Sequence, residues 1–122
     1  MLFLLQVEVE RLPAGLAPQD FLKVVEREWG VFARLERKGK VAAGGKLVGR
    51  RGAAAIINAE SAAEMEQLVA QLPLFPYFTR IEITPLLSSG EALADLRRMR
   101  ALIEAKTEAK TEASARKQTE SE

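Results

Sequence analysis

The residues of this 122-residue sequence that can carry chemistry are carboxylates, amines, guanidinium groups, hydroxyls and one tyrosine, because cysteine and histidine are absent. Thiol nucleophiles, disulfides, imidazole catalysis and the usual zinc ligand sets are therefore excluded. The strongest candidate for moving a proton is Glu28, which the single tryptophan, Trp29, follows directly. An apolar indole beside a carboxyl group can desolvate it and raise its pKa, as a general base requires. The alternative is an ordinary solvated glutamate on the polar face of a helix.

Three basic residues, Lys46, Arg50 and Arg51, are candidates for binding an anionic group. A basic side chain that projects from a strand into a pocket of small residues would meet a carboxylate, and an arginine would do so bidentately. The alternative is that Arg50 and Arg51 form the solvated tip of a hairpin. Tyr77 is a candidate donor to an oxyanion, although a tyrosine that follows Phe-Pro in a turn is more often structural.

Alternating and helical hydrophobic patterns predict the elements that position these residues. Residues 1–10 alternate between a fully apolar face and a face that begins apolar and ends charged, which predicts a strand. Apolar residues at helical spacing after Pro18 predict an amphipathic helix that ends at Gly39. Because the second face of the strand is partly apolar, we expect another subunit or a helix to cover it.

The rest of the chain to residue 86 predicts two more strands, a helix and a last strand. Residues 40–58 read as two strands that are joined near residues 50–52. Ser61 begins a capping box, and its helix ends at Pro73. Residues 77–86 predict the last strand. This order predicts an α+β fold of the split βαβ type, with a four-stranded antiparallel sheet and both helices on one face.

The C-terminal part differs in composition from the rest. Ser88 begins another capping box, which predicts a third helix with an apolar stripe of Leu93, Leu96 and Ile103. From Ala105 onward no large apolar residue occurs and like charges recur four residues apart, so we expect disorder unless a neighbour orders the segment. The predicted organisation is a domain of residues 1–86, a helical extension of residues 87–104 and a charged tail of residues 105–122.

The run Leu72-Pro-Leu-Phe-Pro-Tyr77, followed by Ile81-Glu-Ile-Thr-Pro-Leu86, resembles the muconolactone delta-isomerase family. Three shorter segments agree with it: Met1-Leu-Phe, Arg27-Glu28 with Leu35 and Gly39-Lys40, and Gly49-Arg50 after Lys46. The resemblance covers residues 1 to about 86. It implies a ferredoxin-like subunit of the dimeric α+β barrel type, which pairs its sheet with a second copy and assembles into a ring, in the family usually a decamer.

The resemblance also implies a reaction. The family moves the double bond of muconolactone to give 3-oxoadipate enol-lactone, a proton shift in aromatic catabolism that needs no cofactor and no metal. Glu28 matches a family position, and the resemblance implies that it is the base. Val41, Ala43 and Gly45 stand where the family typically carries Trp, His and Trp, and Arg51 replaces a ring. We therefore expect a pocket of different volume and polarity.

Three functions follow as hypotheses. The first is a homo-oligomeric isomerase, a dimer or a ring as large as a decamer, that acts on a lactone or a small carboxylic acid. The second is a non-catalytic binding or assembly module of the same fold, and the third is another cofactor-free reaction, such as cyclisation or decarboxylation of an aromatic polyketide. A net charge of +1 gives no argument for nucleic acid or an anionic membrane as a partner. The apolar opening is too short to span a bilayer, so we expect a cytoplasmic protein.

Overall fold

The computed structural model describes residues 1–121, with side chains as far as residue 117. The chain divides into two compact units, and the second begins at Leu87. No helix among the described residues is long and apolar enough to cross a membrane.

The first unit contains one antiparallel sheet and two α-helices. Its strands are ordered β2-β3-β1-β4, with β1 paired to both β3 and β4. Apolar side chains of both helices pack in one core cluster with the same face of β1, so the helices cover one side of the sheet. This confirms the predicted α+β fold with its βαββαβ order. The elements are β1 (Leu2–Glu8), α1 (Pro18–Arg37), β2 (Val41–Lys46), β3 (Gly52–Asn58), α2 (Ala62–Ala70) and β4 (Arg80–Leu86).

The core lies between the sheet and the helices, and β1 supplies its centre. Phe3, Leu5 and Val7 are each 2% exposed on the helix-facing side, as the alternation of this strand predicts. Phe32 of α1 and Met65 of α2 pack against them. Because β1 is a central strand that both helices cover, its alternating pattern was the clearest strand signal in the sequence.

Helix α1 begins and ends where the sequence predicts. Pro18 occupies the first turn, where its missing N–H costs no intrahelical hydrogen bond. At the other end Gly39 has φ +77, a left-handed conformation that glycine adopts without a steric penalty. Its N–H donates to the Glu36 carbonyl, and the Lys40 N–H donates to the Leu35 carbonyl. The helix therefore ends in a turn that delivers the chain directly into β2.

Helix α2 and the following segment differ in detail from the predictions. The Ser61 hydroxyl accepts from the Glu64 N–H at 3.1 Å, as a capping box requires. The Glu64 carboxylate accepts from the Glu60 N–H, whereas in a full capping box it would accept from the Ser61 N–H. Phe75–Tyr77 forms one turn of 3-10 helix, in which the Tyr77 N–H donates to the Leu74 carbonyl at 2.8 Å. The last strand therefore begins at Arg80, and the prediction that it begins at residue 77 is wrong.

The face of the sheet opposite the helices is open and partly aliphatic. Its half-buried large aliphatic side chains are Leu2, Leu4, Ile56 and Leu86, and the smaller Ala54 and the polar Gln6 on this face are half-buried as well. Pairing of Ala43 with Ile56 and of Gly45 with Ala54 places Ala43 and Gly45 on this face as well, where both are exposed.

The second unit contains a single helix, α3 (Ser89–Ser121). The predicted capping box is present in full, since the Ser88 hydroxyl accepts from the Glu91 N–H and the Glu91 carboxylate accepts from the Ser88 N–H. Side chains of the apolar stripe, such as Leu96 and Ile103, are about three-fifths exposed, at 60% and 61%. The helix continues without a break past residue 105, where the sequence led us to expect disorder.

Candidate active site

A cavity of about 340 Å³ lies within the first unit, between α1 and the strands β1 and β3. Its walls are mainly apolar. The aromatic residues that line it are Phe21, Trp29, Phe32 and Phe78, and the sheet contributes Val7 and Ala53. The volume falls within the range of about 300–1,000 Å³ that is typical of small-molecule sites.

Helix α1 places Glu28 in the wall of this cavity. Phe21, Val25, Glu28 and Phe32 recur at spacings of four, three and four residues, so they share one face of the helix. Glu28 is only 4% exposed, although it is charged in water at neutral pH. The sequence left open whether Glu28 belongs to the solvated face, and the structure puts it on the buried one.

The carboxyl group of Glu28 has few polar partners. Its Oε2 accepts a hydrogen bond from the backbone N–H of Leu74 at 3.3 Å. Its Oε1 is buried and has no hydrogen-bond partner among the described residues. Burial raises the pKa of Glu28 from 4.5 to about 7, and the bond from Leu74 opposes this rise. The group can therefore exchange a proton near neutral pH.

Lys46 and Arg51 also line the cavity, at its exposed side. The Lys46 ammonium donates to the Leu47 carbonyl at 3.0 Å and to the Arg50 carbonyl at 2.8 Å. The Arg51 guanidinium donates through Nε to the Val9 carbonyl at 2.9 Å and through Nη2 to the Glu10 carbonyl. Within the described part of the chain neither cation forms an ion pair with a carboxylate. These contacts fix both side chains to backbone carbonyls, and Glu8 and Glu10 line the depression beside them.

Arg50 does not line the apolar cavity with Lys46 and Arg51. Its Nη1 lies 3.0 Å from Oε1 of Glu8, and its side chain is 62% exposed. It lines a second, polar depression of about 500 Å³ that adjoins the apolar cavity through Val9, Lys46 and Arg51. The structure thus brings Glu28, Lys46 and Arg51 to one cavity and sets Arg50 at its polar margin.

Tyr77 lies behind the cavity wall, where its ring packs edge-on against Phe21 with the ring centroids 6.4 Å apart. It is not among the described residues that line the cavity. The adjacent Leu74 does line it, and its backbone holds the Glu28 carboxylate. Leu74, between Pro73 and Pro76, therefore forms part of the cavity wall.

One expectation about the cavity lining needs correction, and one lining residue was missed. Val41 is buried in the core at 4% exposure, while Ala43 and Gly45 lie on the open face of the sheet. None of the three belongs to the described lining of the cavity, so they do not set its volume within one chain. Sequence reasoning also missed Leu12 as a lining residue, because it lies in an irregular segment without periodicity.

Comparison with known proteins places the geometry in context. The family whose sequence pattern matches residues 1–91 is described as Muconolactone delta-isomerase. A Muconolactone Delta-isomerase of Rhodococcus opacus is 34% identical over 79 residues, which cover 65% of this chain and 84% of that protein.

Two solved structures share the fold. A crystal structure of muconolactone isomerase matches with a TM-score of 0.63 and 27% identity, over 72% of this chain and 90% of the other. The 5-chloro-2-hydroxyhydroquinone dehydrochlorinase of Burkholderia phenoliruptrix, solved with 2,5-dihydroxybenzoquinone, matches with a TM-score of 0.54 and 22% identity, over 74% of this chain and 97% of the other. The second likeness concerns the fold alone. The sequence match over residues 1–91 and the agreement in fold show that this chain belongs to the muconolactone delta-isomerase family.

Proposed function

We propose that this protein catalyses a cofactor-free proton shift in a lactone or a related small carboxylic acid, with Glu28 as the acid–base group. The observation that supports this most directly is the Glu28 carboxyl group, which is buried in the wall of an apolar cavity with Oε1 unpartnered. An unpartnered carboxylate oxygen in such surroundings gains a hydrogen bond when a rotation of the side chain turns it toward a ligand in the cavity. Relatives in the same family are isomerases, which favours this chemistry over cyclisation or decarboxylation.

The Glu28 carboxyl group alone can both accept and return the proton in the proposed double-bond shift. The Glu28 carboxylate accepts a proton from the α or γ carbon of the unsaturated lactone, and the electron pair left behind delocalises to the ring carbonyl as a dienolate. The neutral carboxylic acid then returns the proton to the other carbon, which moves the double bond and restores the carboxylate. Because the pKa of Glu28 is about 7, both forms are accessible at neutral pH.

Lys46 and Arg51 are suited to the second requirement of the reaction, stabilisation of negative charge. Both line the same cavity as Glu28, and neither forms an ion pair among the described residues. A cation near the carbonyl oxygen lowers the energy of the dienolate, and a cation near a substrate carboxylate orients the ring. Arg50 supports this side of the site from its pair with Glu8, and Tyr77 supports the wall through Phe21.

The test is conversion of muconolactone in deuterated water, followed by absorbance and by deuterium uptake. Replacement of Glu28 by Gln keeps the shape and removes the proton acceptor, so we expect kcat/KM to fall by about 10²–10⁴. Glu26→Gln is the matched control, because Glu26 lies two residues away on α1 and is exposed. Equal activity of Glu28→Gln and Glu26→Gln would contradict the assignment of the base.

We also propose that the open face of the sheet is an interface between copies of this chain. Its half-buried aliphatic side chains, among them Leu4 and Ile56, are unsuited to permanent contact with water. Sedimentation at micromolar concentration is expected to show a dimer or a larger ring, and Leu4→Glu is expected to shift it toward monomer. A monomeric parent protein at that concentration would contradict the interface.

A further inference from the structure

The cavity wall is almost entirely apolar. Among the described residues that line it, only Glu28, Lys46 and Arg51 are ionisable, and the others are apolar. Aromatic rings dominate the side formed by α1, where Trp29 and Phe32 lie with their ring centroids 5.5 Å apart. Apolar surface binds a ligand by removing hydrocarbon from water, so such a wall favours a hydrocarbon group.

Two leucines extend this apolar wall to the protein surface. Leu12 and Leu22 line the cavity and are nevertheless 52% and 64% exposed. Large aliphatic side chains that stay in contact with water around a cavity are typical of a site that a ligand covers. The apolar part of the site therefore reaches the opening, where a chain of several carbon atoms would contact both residues.

The charged part of the cavity wall consists of Lys46 and Arg51, next to the polar depression. Lys46 and Arg51 are fixed by backbone carbonyls, and the adjoining polar depression contains Arg50 and Glu8 as an internal pair. Lys46 and Arg51 form no ion pair among the described residues, and they line both the cavity and this depression, which Glu10 lines as well. They complement one anionic group, whereas Glu28 would repel a second anion placed deep in the cavity.

We infer that the substrate is an amphiphilic lactone, with a ring, a hydrocarbon body and a terminal carboxylate. The ring lies at Glu28, and the hydrocarbon body covers the aromatic wall and the two exposed leucines. The terminal carboxylate lies at Lys46 and Arg51. The inference rests on the proposed proton shift for the position of the ring. The placement of the hydrocarbon body and of the terminal carboxylate rests on the composition of the cavity wall. A lactone with only a carboxymethyl substituent complements the cations and has no hydrocarbon body to place against the aromatic wall and the two leucines.

Binding can be measured without turnover, because Trp29 is the only tryptophan of the sequence and lines the cavity. Saturated γ-butyrolactones that carry a carboxymethyl, a heptyl or a 7-carboxyheptyl group cannot isomerise and are titrated against the Trp29 fluorescence. We expect the 7-carboxyheptyl compound to bind at least tenfold more tightly than the carboxymethyl compound, with the heptyl compound between them. Equal or tighter binding of the carboxymethyl compound overturns the inference, and so does the absence of binding by both long compounds, which would mean that another segment or a second copy fills the cavity.

Two variants with matched controls assign each part of the ligand. Leu22→Ser is expected to weaken both long compounds at least threefold and to leave the carboxymethyl compound unchanged, whereas Val48→Ser, at a residue 98% exposed and outside the cavity lining, changes none. Lys46→Gln is expected to weaken the two carboxylated compounds and spare the heptyl compound, with the exposed Lys38→Gln as control. A Leu22→Ser variant that binds all three compounds as the parent does would contradict the placement of the hydrocarbon body.

The unsaturated counterparts of the same lactones separate this inference from the proposed function. Deuterium uptake that requires Glu28 and is no faster for the long lactones than for the carboxymethyl lactone overturns the substrate class and leaves the proton shift intact. Tight binding of the long compounds without deuterium uptake overturns the proton shift and supports the cavity as a site for amphiphilic lactones.

Discussion

Two regions of the molecule bury a glutamate, and the polar partners of the two carboxylates differ. At the end of β1, Glu8 is 7% exposed, and its Oε1 lies 3.0 Å from the Arg50 guanidinium. In the cavity wall, Glu28 is 4% exposed and receives a single backbone hydrogen bond at 3.3 Å. The two carboxylates have similar burial, and of the two only Glu8 forms an ion pair with a cation among the described residues.

This difference is the one that the proposed function requires between a structural carboxylate and an acid–base group. A nearby cation stabilises the ionised form of a buried carboxyl group and occupies its oxygens. Burial without a cation in contact raises the pKa, as it does for Glu28, and leaves Oε1 without a hydrogen-bond partner among the described residues. Under the proposed function the acid–base group is the carboxylate that lacks a cationic partner.

The largest expected effect is the pH dependence of the reaction. Glu28 must be ionised to accept a proton, and its pKa is about 7. The ionised fraction then rises with pH, so kcat/KM is expected to increase by about a hundredfold between pH 5 and pH 8 with a midpoint near 7. Initial rates in buffers of constant ionic strength measure this. A profile that is already flat above pH 5 would show that the acting base is ionised like an ordinary carboxylate and would remove the distinction between the two regions.

The next effect concerns the stability of the folded chain. Because the pKa of Glu28 is raised from 4.5 to about 7 on folding, the folded state retains a proton that the unfolded state releases. Its contribution to stability is present below pH 4.5 and is lost as pH rises through about 7, which amounts to roughly 2–3 kcal/mol. Glu28→Gln cannot ionise, so its stability relative to the parent is expected to increase by that amount between pH 4.5 and pH 8.

Urea denaturation of the parent and of Glu28→Gln at pH 4.5, 6 and 8 measures this difference. Glu26→Gln serves as control, because Glu26 is exposed on the same helix. A difference between Glu28→Gln and the parent that stays constant over this range would mean that the carboxyl group is solvated in the folded state.

The sequence predicted the fold well where local patterns agree with tertiary packing. The alternation of β1, the helical spacing of α1 and the left-handed Gly39 were all found as expected, since each depends on a short stretch of chain. The start of β4 was wrong by three residues because Pro76 and the Tyr77 hydrogen bond to Leu74 continue the turn, and no periodic signal marks that boundary.

The site was predictable in part. Residue types and the family resemblance selected Glu28, but its burial depends on which face of α1 meets the sheet, which a single sequence does not state directly. The role of Arg50 could not be read from the sequence, because its contact with Glu8 joins residues 42 positions apart. Val41, Ala43 and Gly45 were expected at the pocket, and strand register puts them in the core and on the open face instead.

The smallest expected effect belongs to the partnered glutamate. Arg50→Gln removes the cation from Glu8, which is nearly buried, but Arg50 itself is 62% exposed, so solvent screens the pair and the expected loss of stability is about 1 kcal/mol. Arg27→Gln, an exposed arginine on α1, is the control. In a double-mutant cycle with Glu8→Gln, urea denaturation at pH 7 is expected to give a coupling energy of similar size, because each single change leaves the other partner alone. A coupling energy of zero would mean that Arg50 does not compensate Glu8, and the contrast between a partnered and an unpartnered carboxylate would then rest on burial alone.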